Sequence, residues 1–154
     1  MKFIAHTASI LLFGLILGSA GCNINRPCEE PTEFPLVTGY YDSTGADTTL
    51  SDLTIYGMGM EDSLLYDRDT LQSVSLPLNP FTDTTRFIMI FGPYTDTLNF
   101  FYQRNLRMIS PECGFAIFFE IKSFSHTYHA IDSLSLLDQN LDAQTQEHLQ
   151  IFVH

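Results

Sequence analysis

Leu98-Asn99-Phe100-Phe101-Tyr102-Gln103-Arg104-Asn105-Leu106-Arg107-Met108 has the period of an extended chain. Leu98, Phe100, Tyr102, Leu106 and Met108 fall on one face, and Asn99, Gln103, Asn105 and Arg107 mostly on the other. A period of two is that of a strand with one face buried and one wet.

The next stretch repeats the signal. After Cys113-Gly114, Phe115, Ile117, Phe119 and Ile121 share a face, with Ala116, Phe118, Glu120 and Lys122 opposite. Further strands are expected at Phe34 to Tyr41, Leu53 to Tyr56, Ser73 to Leu78, Thr85 to Phe91, Ile131 to Leu137 and Leu149 to Val153. Turn signals separate them at Ser43-Thr44-Gly45-Ala46, Gly57-Met58-Gly59, Asn79-Pro80, Gly92-Pro93, Ser110-Pro111 and Asp138-Gln139-Asn140. About eight short strands without alternating long helices predict an all-β, antiparallel two-sheet β-sandwich, with an immunoglobulin-like arrangement as one form of it. Asp142 to Gln150 is the one helical alternative, and the chain has no internal repeat.

The N-terminus reads differently. Lys2 precedes an apolar run from Ala8 to Leu17, the plan of an export signal, and the run is too short to span a bilayer. It ends in Ser19-Ala20-Gly21-Cys22, which resembles the lipobox of bacterial lipoproteins, although Ser19 stands where that motif usually has Leu. The resemblance implies cleavage after Gly21 and a diacylglycerol thioether on Cys22. The competing reading is ordinary cleavage beside an unmodified cysteine. The expected division is a signal peptide over 1–21, a lipid anchor and short tether over 22–31, and the sandwich over 32–154.

Three cysteines are an odd number outside the cytosol. A lipid on Cys22 leaves Cys28 and Cys113 as a pair, and the simplest assignment is one disulfide; buried free thiols are the alternative.

Beyond the leader, 18 acidic residues face six basic ones: Arg26, Arg68, Arg86, Arg104, Arg107 and Lys122. The six are scattered, which argues against nucleic acid as a partner, and the net charge repels an anionic membrane surface. Membrane attachment is therefore expected through lipid on Cys22.

Reacting groups are scarce. His126 and His129 fall in an expected loop and lack the further ligands a zinc site needs. His148 and His154 read as surface residues, and His6 leaves with the leader. Asp42 to Asp47 and Asp67-Arg68-Asp69 lack the ligand pattern of an EF-hand and read as solvated turns. Glu61, Asp62, Glu112 and Glu120 could meet in space as the carboxylate pair of a glycoside hydrolase, but with 18 acidic residues chance proximity is the favoured reading. No Gly-x-Ser-x-Gly elbow occurs, and Gly57-Met58-Gly59-Met60 reads as a hairpin turn rather than a phosphate loop. No catalytic, metal or cofactor residue is assigned.

Cys22, Cys28, Leu76-Pro77-Leu78-Asn79 and Cys113-Gly114, followed by the aromatic strand Phe115 to Phe119, together resemble a family of small uncharacterised envelope lipoproteins, a domain of unknown function, of Bacteroidota-type bacteria. The resemblance implies an envelope location and nothing catalytic. The functional expectation is a non-catalytic outer-membrane lipoprotein, on either membrane face, that packs against another envelope protein. The second reading is a glycan- or small-ligand-binding module using exposed rings such as Tyr40, Tyr41, Tyr94 or Tyr128.

Overall fold

In the computed structural model, residues 27–142 and 146–154 are described. The expected signal peptide, Cys22 and residues 23–26 of the expected tether lie outside them, as do residues 143–145 of the helical alternative.

The alternating stretch around Phe100 is the middle of a three-strand meander. β5 (Thr84–Phe91) turns through Gly92-Pro93 into β6 (Tyr94–Ser110), which turns through residues 111–113 into β7 (Gly114–His126). Gly92 takes φ 57°, the left-handed conformation that a two-residue hairpin loop asks of a glycine. β2 (Leu50–Gly57) pairs antiparallel with β5, and β3 (Leu64–Leu71) pairs with β2, after the hairpin turn through Met58-Gly59-Met60. β9 (Asn140–Leu141) adds to β7, which gives a six-stranded sheet in the order β3-β2-β5-β6-β7-β9.

The second sheet has the order β4-β1-β10-β8, from β4 (Ser73–Leu76), β1 (Leu36–Tyr41), β10 (Leu149–Val153) and β8 (Ile131–Leu136). Its centre is a parallel pair, with Thr38 opposite Leu149 and Tyr40 opposite Ile151. The first and last strands thus close the fold against each other.

The sheets face one another as a β-sandwich, and the described residues hold no helix. Leu36, Tyr40, Leu76, Leu149, Ile151 and Ile131 from one sheet meet Leu53, Ile55, Phe87, Met89, Leu98, Phe100 and Ile121 from the other in one apolar cluster. The Tyr40 hydroxyl crosses the core to the Met89 Sδ at 3.8 Å, and burial pushes its phenol well above the ordinary tyrosine range.

Three local readings change. Asp67-Arg68-Asp69 is not a turn but the middle of edge strand β3, where charge and exposure on both faces remove the alternation. Asp52 and Arg68 both take φ 56° where the β2–β3 register slips, so the edge is bulged and charged, a pattern that resists sheet-to-sheet pairing. The strand expected over Ser73 to Leu78 ends at Leu76, because Pro77 has no amide to pair. The expected boundary at Met108 extends to Ser110, and the strand begins earlier, at Tyr94.

Cys28 and Cys113 form a disulfide with Cα atoms 4.8 Å apart. It fastens the segment ahead of β1 to the β6–β7 turn. Phe34 then stacks on Phe118 with ring centroids 4.3 Å apart, which covers the outer face of β7 there. That is why β7 buries Phe119 and Ile121 on one face but Ala116 on the other.

Candidate functional site

The loop between β4 and β5 is held from several sides. The Tyr102 hydroxyl donates to the Asn79 carbonyl at 3.0 Å and meets Thr85 Oγ1 at 2.6 Å, while the Asn79 amide donates to Thr85 Oγ1 at 2.8 Å. Arg104 donates to Asp83 at 2.6 Å and to the Pro80 carbonyl at 3.0 Å. The Phe81 amide donates to the Asn79 side chain at 2.8 Å. On this fixed support the Phe81 side chain stands 84% exposed.

Phe81 borders a groove of about 650 Å3 between this loop, the β2–β3 turn and the outer face of β5 and β6. Met58, Met60, Leu65 and Phe101 supply further apolar wall, and all four are exposed. Arg86 and Asn99 sit opposite each other in the β5–β6 register and bond through Arg86 Nε and Asn99 Oδ1. Asn99 also donates to Ser125 Oγ at 3.2 Å, and Arg86 Nη1 approaches Met58 Sδ at 3.1 Å. The groove therefore offers apolar and aromatic wall around one guanidinium and one carboxamide, with no nucleophile paired to a base.

The groups whose protonation is displaced lie elsewhere and serve the fold. Burial pushes the Asp96 carboxyl up, but hydrogen bonds from Thr127 Oγ1 and the amides of His129, Ala130 and Ile131 outweigh it and hold the group below the ordinary range. Asp42 is lowered by donors of its own turn, first the Thr44 hydroxyl at 2.6 Å and then the Ala46 amide at 3.0 Å.

Several expected positions move. Tyr40 is a core residue and presents no ring to a ligand. Tyr41 is half-buried, with its hydroxyl on the Glu147 carboxylate at 2.9 and 3.1 Å. Tyr94 and Tyr128 are exposed but line no part of the groove. His148 is not at the surface: it is buried, its Nδ1 accepts from the Val37 amide at 3.2 Å, and desolvation lowers its pKa. His126 ends strand β7 and packs on Tyr128, while His129 Nδ1 lies 3.1 Å from Asp96, so each histidine serves its own neighbour. Among the described residues no three His, Cys, Asp or Glu side chains come together as a metal-binding group.

Sequence reasoning missed Phe81 and the groove. The only local signal was a large ring next to Asn79-Pro80, a turn where a phenylalanine has no strand face to bury.

No curated protein and no solved structure matches the chain. Residues 52–153, from within β2 to the end of β10, match a family of unknown function, DUF6452, and the chain belongs to that family.

Proposed function

We propose that the protein is a lipid-anchored, non-catalytic module of the cell envelope that holds a partner protein in the groove beside Phe81. The observation that carries this reading is a fully presented aromatic ring on a loop fixed by hydrogen bonds, next to exposed Met58, Met60, Leu65 and Phe101. Rigid aromatic anchors supply most of the energy of protein interfaces, and preorganisation lowers the entropy cost of binding. The leader and the Ser19-Ala20-Gly21-Cys22 motif support export and attachment through lipid on Cys22.

Crosslinking in native membranes tests it, with Phe81→Ser as the comparison. A reproducible protein adduct that Phe81→Ser removes is the expected result. An adduct that survives the substitution unchanged, or none at all, overturns the groove as a protein site.

A second reading, glycan or small-ligand binding, is favoured by the proximity of the Phe81 and Phe101 rings to Arg86 and Asn99, the mixture of ring faces and polar groups that a sugar requires. Glycan-array binding abolished by Phe101→Ser supports it, and a blank array removes it.

A further inference from the structure

The β6–β7 hairpin outruns the sandwich. Along one face of β6, Leu98, Phe100 and Tyr102 are buried, yet Leu106 and Met108 on that same face are 68% and 56% exposed. Their cross-strand partners are Ile117 and Phe115, and Phe115 is 65% exposed. The reverse face is covered from within, because Ala116 is buried, Phe118 stacks on Phe34, and Arg107 lies 5.2 Å over the Phe118 ring. One side of the arm is covered in part by Phe34 and Arg107, and the other presents an exposed strip of Leu, Met and Phe.

The disulfide places this strip beside the membrane tether. Cys113 ends the hairpin turn, and Cys28 is bonded to it. Cys22 is six residues from Cys28, so a lipid on Cys22 is attached within about 20–22 Å of Cys28, whatever path those residues take, and the Cα of Cys28 is 4.8 Å from that of Cys113 at the hairpin tip. We infer that the strip formed by Leu106, Met108 and Phe115 rests in the interfacial layer of a phospholipid bilayer, as a second contact that orients the anchored domain. This inference rests on the lipid-anchor reading and deepens it.

The charges agree with an apolar rather than an electrostatic contact. Arg104, Arg107 and Lys122, three of the six basic residues beyond the leader, lie on this arm, but Glu112 sits in its turn and Glu29 and Glu30 sit beside the disulfide. The partner surface is therefore zwitterionic phospholipid, entered by side chains that lie within a few ångströms of the headgroup boundary.

The chain has no Trp, so Phe115→Trp adds a single reporter. The full chain, purified from membranes and reconstituted in phosphatidylcholine vesicles with brominated acyl chains, is expected to show blue-shifted emission quenched about two-fold or more. Phe81→Trp, on the loop, is expected to show little quenching, and Met108→Glu added to Phe115→Trp is expected to remove most of it. Unquenched Phe115→Trp emission from a chain whose intact mass includes lipid on Cys22 overturns the docking while the anchor stands. If the mass shows Cys22 unmodified, the anchor reading fails, and the docking stands only if vesicles still quench that emission. A blue shift without quenching, together with a doubled mass in solution, assigns the strip to a second copy and overturns the inference.

Discussion

The Asp96 carboxylate, at the start of β6, accepts a hydrogen bond from the Ala130 amide at 2.8 Å, across 34 positions of sequence. The same Oδ2 takes the Ile131 amide at 3.1 Å, and Oδ1 takes the Thr127 hydroxyl at 2.6 Å and the His129 amide at 3.0 Å. These donors line the crossing from β7 in one sheet to β8 in the other. One fully buried carboxylate thus satisfies the backbone where the chain changes sheets.

Removing it leaves those donors unpaired in the interior. Asp96→Ala is expected to cost about 3–5 kcal/mol, and Asp96→Asn, which keeps one acceptor oxygen, about 2 kcal/mol. Urea unfolding at neutral pH measures both; equal and small losses would contradict the assignment.

Stability is expected to fall on acidification in two stages. His148 has a folded pKa below its unfolded value, so below about pH 6.5 the unfolded chain takes up a proton that the folded chain declines, and stability drops as pH falls through that window. Desolvation is the cause, opposed by the charges of Asp138 and Asp142. Asp96, also lowered, contributes stability above its unfolded pKa of about 4 and loses it as pH falls through its folded value. His148→Gln should flatten the first stage and Asp96→Asn the second, read from denaturation midpoints across pH.

The disulfide closes a span of 85 residues. Chain entropy assigns such a loop about 4–5 kcal/mol, as an upper figure. Cys113→Ser should therefore lower stability by up to that amount, and a reductant should do the same to the parent but not to the variant.

Arg68 occupies φ 56°, a region that costs a side chain about 1–2 kcal/mol. Its ion pair with Asp52, 3.9 Å long and exposed at both ends, returns little. Arg68→Gly is expected to stabilise the protein by about 0.5–1 kcal/mol, the relief being partly offset by the added freedom of the unfolded chain. A thermal melt shows the sign directly.

Phe81 and Phe100 separate the proposed binding ring from the folding core. Phe81→Ser should leave stability within about 0.5 kcal/mol of the parent, whereas Phe100→Ala, which empties a core position, should cost about 3–5 kcal/mol. Loss of fold in Phe81→Ser would mean that the ring is part of the core after all.

The strands of the meander were legible in the residues, because Leu98, Phe100 and Tyr102 fall every second position, with Asn99 and Gln103 on the other face, and a half-buried strand has no other period. Edge strand β3 was not, since a strand wet on both faces carries no periodicity to read. Nor was the buried state of His148, which depends on strands β1 and β10 meeting from opposite ends of the chain.

The clearest division lies within one stripe. By itself the sequence determined that Leu98, Phe100, Tyr102, Leu106 and Met108 share a face, that turns punctuate the chain into strands, and that Cys28 and Cys113 form an even pair. Only the tertiary structure decided that the first three are core and the last two are bare, that Phe81 is held out over a groove, and that Asp96 fastens the crossing between sheets. Periodicity is local and follows from the geometry of the backbone. Which faces are covered depends on how far the opposing sheet extends and on which distant segments reach them, and no alternation of residues encodes that length.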